Sequence, residues 1–148
     1  MPRRDREAVT SALDAASFTD KLAKLESGLD THLTREFNDK GTNLSGGESQ
    51  KIAIARALYK LASVTVMDEP SSALAPVAEY ELNRHIETAL CDKTVIFISH
   101  RLSTTRAAAR IYMFEHGKII EEGSHDALIA AGGKYAEMFN LQASKYRA

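Results

Sequence analysis

Three short runs of this 148-residue chain carry residue types suited to chemistry on an anion. The first is Leu44-Ser45-Gly46-Gly47-Glu48. Ser45 and Glu48 have the S-x-x-E spacing of a capping box, which opens a helix. The two glycines behind the cap let backbone N–H groups approach a ligand closely, and the helix dipole favours negative charge there. Alone, these five residues are as consistent with a well-capped helix as with an anion site. The second run, Val64-Thr65-Val66-Met67-Asp68-Glu69, is an apolar strand ending in two adjacent carboxylates. At the C-terminal edge of a parallel strand such groups face the crevice where ligands bind. Asp68 suits a Mg²⁺ site, usually through water, and Glu69 suits a base that polarises an attacking water. In isolation the same residues read as a strand followed by a solvated acidic turn. The third run, Ile96-Phe97-Ile98-Ser99-His100, is a second apolar strand with a terminal imidazole that can bond a phosphoryl oxygen. A single strand-end His is more often structural. Its weight here comes from its place in step with the other two motifs.

The elements that must position these groups follow from periodicity. Residues 6–43 read as helical and polar, without a convincing strand. Val9, Leu13 and Ala16 share one helical face, while Leu22, Leu25 and Leu29 make a weaker stripe. Residues 38–43 read as loop. Helix is expected over 48–60, strand over 63–67, and a second helix from Pro76 with Leu82, Ile86, Ala89 and Leu90 as its buried stripe. Strand follows over 94–99. Strand, helix, strand at this spacing is a βαβ unit, so Asp68, Glu69 and His100 are expected on one edge of a parallel sheet. Ser103 is a candidate cap for a short helix reaching Arg110. Residues 111–114 and 119–121, joined around His116-Gly117, read as a hairpin. Helices after Ser124 and after Gly133 complete the chain.

Composition sets the boundaries of this reading. Lys plus Arg is 19 and Asp plus Glu is 20, a net charge of −1. This balance gives no reason to expect a nucleic-acid partner or attraction to an anionic membrane. Cys91 is the single cysteine, which excludes an internal disulfide and fits a reducing cytosol. No apolar run approaches the ~18 residues of a membrane span, and the charged N-terminus lacks an apolar signal segment. The chain itself is therefore expected to be soluble.

In this order the motifs resemble the ATP-binding cassette (ABC) ATPases of ABC transporters. The run LSGGESQKIAIARAL is similar to their signature motif, VTVMDEP to their Walker B strand with its catalytic carboxylate, SSALA to their D-loop, and IFISHRLST to their His switch. The tail GKIIEEGSHDALIAAGGKYAEMFNLQ resembles the end of an exporter-type cassette. The resemblance covers nearly the whole chain, and the ordered set is far more specific than any one motif. It implies an α/β fold of the P-loop NTPase kind. Residues 1–43 would be part of a helical subdomain. Residues 44–148 would carry the signature helix, the parallel βαβ region, and the C-terminal hairpin and helices. It implies ATP and Mg²⁺ as ligands, with Glu69 and His100 catalytic and Asp68 at the metal. It also implies a second cassette arranged head to tail, whose ATP γ-phosphate would meet Ser45, Gly46, Gly47 and Glu48. Ser72 and Ala75 would lie in the D-loop region. The further partner is a transporter's transmembrane domain, placing the chain peripherally at the cytoplasmic face of the cell membrane.

Two features depart from the family pattern. No G-x-x-x-x-G-K-[ST] run occurs, because Gly117-Lys118 and Gly133-Lys134 are followed by Ile119 and Tyr135 and lack the upstream glycine. The family's adenine-stacking aromatic and Q-loop have no match either. The chain is therefore expected to be the C-terminal part of a cassette, inactive by itself, with a missing N-terminal cassette part as a partner. The second departure is Ala75, where the family pattern S-A-L-D has aspartate. Ahead of Pro76 this is the N-cap position, and Ala caps poorly. Two alternatives stand beside the cassette. One is a non-enzymatic remnant or interaction module, which a nucleotide-binding assay on the chain would separate. The other is an SMC-type DNA-handling ATPase, disfavoured by the His-switch segment, the exporter-like tail, and the absence of a long heptad region or basic surface.

Overall fold

A computed structural model describes residues 5–34, 39, 41–102 and 104–144. The chain divides into two compact units, Met1–Ile98 and Ser99–Ala148.

In the first unit, α1 (Arg6–Ala15) is capped by the Asp5 carboxylate, which accepts from the N–H groups of Glu7 and Ala8. Leu13 and Ala16 are buried and Val9 packs against the same core, as their shared face predicts. The Leu22, Leu25 and Leu29 stripe does not form one helix. A single turn, α2 (Thr19–Leu22), is followed by a 3₁₀ turn at Gly28–Asp30. Gly28 sits at φ +51°, a left-handed conformation that an α-helix cannot pass through. All three leucines still pack against the core, from a chain that turns rather than coils. Next come α3 (Gly46–Tyr59), β1 (Val64–Asp68), α4 (Pro76–Ala89) and β2 (Thr94–Ile98). β1 and β2 pair in parallel, Val66 opposite Ile96 and Asp68 opposite Ile98, so the βαβ unit is present. Leu13, Phe18, Ile54, Leu58, Met67, Leu82, Ile86 and Leu90 form the shared core. In α4, Leu82, Ile86 and Leu90 are buried as expected, but Ala89 is exposed. It lies three residues after the inward Ile86, yet the helix ends there and the core closes on Leu90 instead.

The β1–β2 sheet buries one face only. Thr65 and Met67 turn into the core, while Val64, Val66, Ile96 and Ile98 are 54, 60, 48 and 51% exposed. The pairing register places these four apolar residues on one side of the sheet, beside Asp68.

In the second unit, β3 (Ile111–Glu115) and β4 (Lys118–Gly123) form the expected antiparallel hairpin, with a register shift between Met113 and Phe114. His116 and Gly117 turn at φ +48° and +74°, the sign a two-residue hairpin turn needs. α5 (His125–Ala131) starts at the Ser124 cap and ends at Gly132, φ +64°. α6 (Lys134–Ser144) follows. Leu102, Ile111, Leu128 and Tyr135 are this unit's buried cluster. The stretch expected to form a short helix holds a 3₁₀ turn at Thr104–Ala107, and its candidate cap Ser103 lies outside the described residues.

Among the described residues no helix is long and apolar enough to cross a membrane.

Candidate functional site

The capping box expected from sequence forms at the start of α3. Ser45 Oγ accepts from the Glu48 N–H at 3.3 Å, and the Ser45 N–H donates to Glu48 Oε2 at 2.8 Å. Lys21 Nζ stands 3.0 Å from Glu48 Oε1. The Ser45 N–H, and then Lys21, hold the Glu48 carboxyl below the usual carboxylate range, against a smaller opposing effect of burial. The box engages the N–H groups of Ser45 and Glu48, so those of Gly46 and Gly47 are the remaining donors of the first turn.

The two glycines have different surroundings. A Cβ added at Gly46 would meet no described atom within 4 Å, so this side of the helix end is open to an approaching group. A Cβ at Gly47 would stand 3.2 Å from Leu74 Cδ2 and 3.4 Å from the Ala73 carbonyl oxygen. Gly47 therefore lets α3 close against the loop that follows β1.

That loop begins at the two carboxylates. Asp68 ends β1 on the exposed side of the sheet, and Glu69 is half-buried. Glu69 has φ +47°, a sparsely populated conformation for a residue with a Cβ. The surrounding hydrogen bonds specify it. The Glu69 N–H donates to the Ile98 carbonyl at 2.9 Å, extending the β1–β2 pairing, and the Ser72 N–H donates to the Glu69 carbonyl at 3.2 Å. Ser71 Oγ donates to Glu79 Oε1 at 2.9 Å, tying the loop to the first turn of α4 through a buried carboxylate.

A residue that sequence reasoning passed over joins the helix to this loop. Gln50 Nε2 donates to the Glu69 carbonyl at 2.8 Å and to Ser72 Oγ at 3.0 Å, and Gln50 Oε1 accepts from the Ala73 N–H at 3.1 Å. A polar residue on an amphipathic helix reads as a surface position. The available signal was its place one turn after the cap, directed by helical geometry toward whatever Gly47 packs against.

Ala75 occupies the N-cap of α4 with extended backbone, φ −69° and ψ 154°, and makes no side-chain cap bond. Ser72 is exposed in the same loop. His100 belongs to the second unit, where it is exposed and its carbonyl accepts from Gln142 Nε2 at 2.8 Å.

Asp68 and Glu69 are hard oxygen donors at adjacent positions, and among the described residues no group of three or more His, Cys, Asp or Glu side chains is arranged as a metal cage. Carboxylate oxygens of this kind suit Mg²⁺, which binds through one or two carboxylates together with phosphate oxygens and water.

Comparison with known proteins places these elements in context. Residues 4–72 match the ABC transporter family. An ATP-dependent lipid A-core flippase of Burkholderia orbicola (strain AU 1054) is 44% identical over 138 residues, 93% of this chain and 23% of the flippase. Another ATP-dependent lipid A-core flippase, from Haemophilus ducreyi (strain 35000HP / ATCC 700724), is 41% identical over 140 residues, 95% of this chain and 23% of that protein. The chain thus spans about a quarter of the length of the curated relatives it matches. A bacterial Atm1-family ABC exporter, solved with ATP bound, superposes with a TM-score of 0.81 at 36% identity, covering 97% of this chain and 24% of that one.

Proposed function

This chain is homologous to the cassettes of ABC exporters, and from that premise we propose that it supplies the C-terminal part of an ATP-binding and ATP-hydrolysing cassette that drives transport across a membrane. The observation that carries the reading is the packing of a capped, glycine-fronted helix end against the loop that follows two strand-end carboxylates, Gly47 on Leu74 and Ala73. Both are needed on one scaffold, phosphate-facing donors for a second cassette's ATP and a positioned base for the nucleotide on this side.

In this reading residues 1–43 belong to a helical subdomain and 44–148 to the ATPase core. Glu69 accepts a hydrogen bond from the attacking water and takes its proton as the water oxygen bonds to the γ-phosphorus, while the bond to the β–γ bridging oxygen breaks and ADP leaves. Asp68 would hold Mg²⁺, usually through water, and the ion supplies charge neutralisation at the phosphate oxygens. His100 bonds a phosphoryl oxygen of the same nucleotide. Ser45, Gly46 and Gly47 meet the γ-phosphate of the ATP held by a second cassette, head to tail, while Glu48 keeps the cap closed. Ser72 and Ala75 lie in the D-loop at the contact with that second cassette. The transmembrane domain of a transporter is the further partner, and the site of action is the cytoplasmic face of the membrane.

The 148 residues contain no phosphate-cradling G-x-x-x-x-G-K-[ST] loop. The polypeptide alone is therefore expected neither to bind ATP tightly nor to turn it over. Co-expression or fusion with the P-loop-bearing part of a homologous cassette tests this reading. Mg·ATP turnover is expected in the assembly and not in the chain alone. In a mixed dimer, Ser45→Arg is expected to impair the ATP held by the opposite cassette. An assembly that folds and binds no nucleotide would refute the reading.

A further inference from the structure

We infer that Gln50 is a positioning residue for Glu69: its side-chain amide fixes the strained backbone at the carboxylate and couples it to the helix whose N-terminus carries Ser45, Gly46 and Gly47. The inference rests on the reading of Glu69 as general base and adds a residue to that site.

The amide orientation is fixed by its neighbours. Ala73 presents a backbone N–H, which requires an acceptor, and Glu69 presents a carbonyl, which requires a donor. Only one placement of the Gln50 amide serves both, with Oε1 toward Ala73 at 3.1 Å and Nε2 toward Glu69 at 2.8 Å. The second Nε2 hydrogen goes to Ser72 Oγ at 3.0 Å. Three hydrogen bonds from one half-buried side chain thus reach three residues, 69, 72 and 73, across a five-residue stretch of the loop.

The loop needs such a tie. Glu69 stands at φ +47°, a conformation that a non-glycine residue holds only where its surroundings over-determine it. Its N–H is fixed to Ile98 in β2, which secures one end of the residue to the sheet. At the other end the carbonyl accepts from the Ser72 N–H within the loop, and Gln50 ties it to α3. Rotation about the Glu69 backbone swings its carboxylate, so loss of the carbonyl contact lets the base leave the line of attack.

The test uses the chain assembled with a P-loop-bearing cassette part. Gln50→Met keeps length and helix propensity but removes all three hydrogen bonds. It is expected to lower kcat at least ~10-fold, within the range for misplacing a catalytic group by about 1 Å, with KM for ATP changed less than ~2-fold. In a Glu69→Gln background the same substitution is expected to cause no further loss, because it acts through Glu69. Gln50→Glu, which keeps the acceptor for Ala73 and removes the donor to Glu69, guards against misfolding of the first variant and is expected to show the same kcat loss. Unchanged kcat in both Gln50 variants, beside a Glu69→Gln variant that has lost turnover, overturns the inference and leaves the function intact. A loss that multiplies with Glu69→Gln, or that falls equally on ATP binding, shows a merely structural role and also overturns it. If Glu69→Gln itself leaves turnover unchanged, the general-base reading has failed, and Gln50 has no base to position.

Discussion

Gly47 and Leu74 are in contact across the gap between a helix and a loop, leaving 3.2 Å between Leu74 Cδ2 and the place a Cβ would take. The neighbouring Gly46 has open space at the same point. This contrast separates two glycines that look equivalent in the sequence. Gly46→Ala is expected to raise stability by about 0.5–1 kcal/mol, since alanine loses less chain entropy in a helix and meets nothing. Gly47→Val is expected to lower it by about 1–3 kcal/mol through overpacking against Leu74 and the Ala73 carbonyl. Urea unfolding of the two variants measures both signs. In the assembled cassette, Gly46→Ala is also expected to lower ATP turnover despite the added stability, because the methyl occupies the approach to the open helix end.

Acid should loosen the start of α3. The Glu48 carboxyl is held below its ordinary value of 4.5 by the Ser45 N–H first and by Lys21 second. A depressed folded-state pKa contributes stability that is fully present above the unfolded value. The contribution is lost as pH falls from about 4.5 through the lower folded value. Glu48→Gln keeps an amide oxygen for the Ser45 N–H but does not titrate. The difference in Tm between native chain and variant is therefore expected to be constant near neutrality and to shrink toward zero below pH 4.5. A difference that grows on acidification would contradict the assigned sign.

Ala75 already has the extended backbone of an N-cap and lacks only an acceptor. Ala75→Asp is expected to stabilise the chain by about 0.5–2 kcal/mol, read as an increase in urea midpoint without a change in slope. The carboxylate would also complement the positive end of the α4 dipole. Ala75→Ser should recover much of the gain, since a hydroxyl oxygen caps as well.

The exposed face of the β1–β2 sheet gives a solution property. Val64, Val66, Ile96 and Ile98 line one side of two strands, a surface of the kind that promotes association. The 148-residue polypeptide is expected to bind ANS and to self-associate as its concentration rises. The double variant Val66→Lys, Ile96→Thr should reduce both in analytical ultracentrifugation. Monodisperse behaviour of the unmodified chain with a sharp cooperative melt would show that this face is not a liability.

What the sequence disclosed and what it withheld divide along a physical line. The Ser45–Glu48 cap, the His116-Gly117 turn and the β1 and β2 strands are local, so spacing and residue type suffice to read them. The Leu22–Leu25–Leu29 stripe misled because the left-handed turn at Gly28 breaks a helix that the apolar spacing favours. Glu79, which no sequence motif singles out, is buried and accepts from Ser71 Oγ. Gln50 reads as a surface position on an amphipathic helix, yet it bonds Glu69, Ser72 and Ala73. Both are decided by the loop between Asp68 and Ala75, whose path depends on non-local contacts with α3 and β2. The positive φ at Glu69 follows from those contacts and has no glycine or asparagine to announce it.

The role proposed for Glu69 as the catalytic base is open to direct measurement. Steady-state ATP hydrolysis by the assembled cassette, measured beside Mg·ATP binding for the native sequence and for Glu69→Gln, tests it most directly. Glu69→Gln is expected to retain Mg·ATP binding and to lose at least ~100-fold in turnover, the typical worth of a positioned general base. Undiminished turnover in a Glu69→Gln assembly that binds Mg·ATP would contradict it.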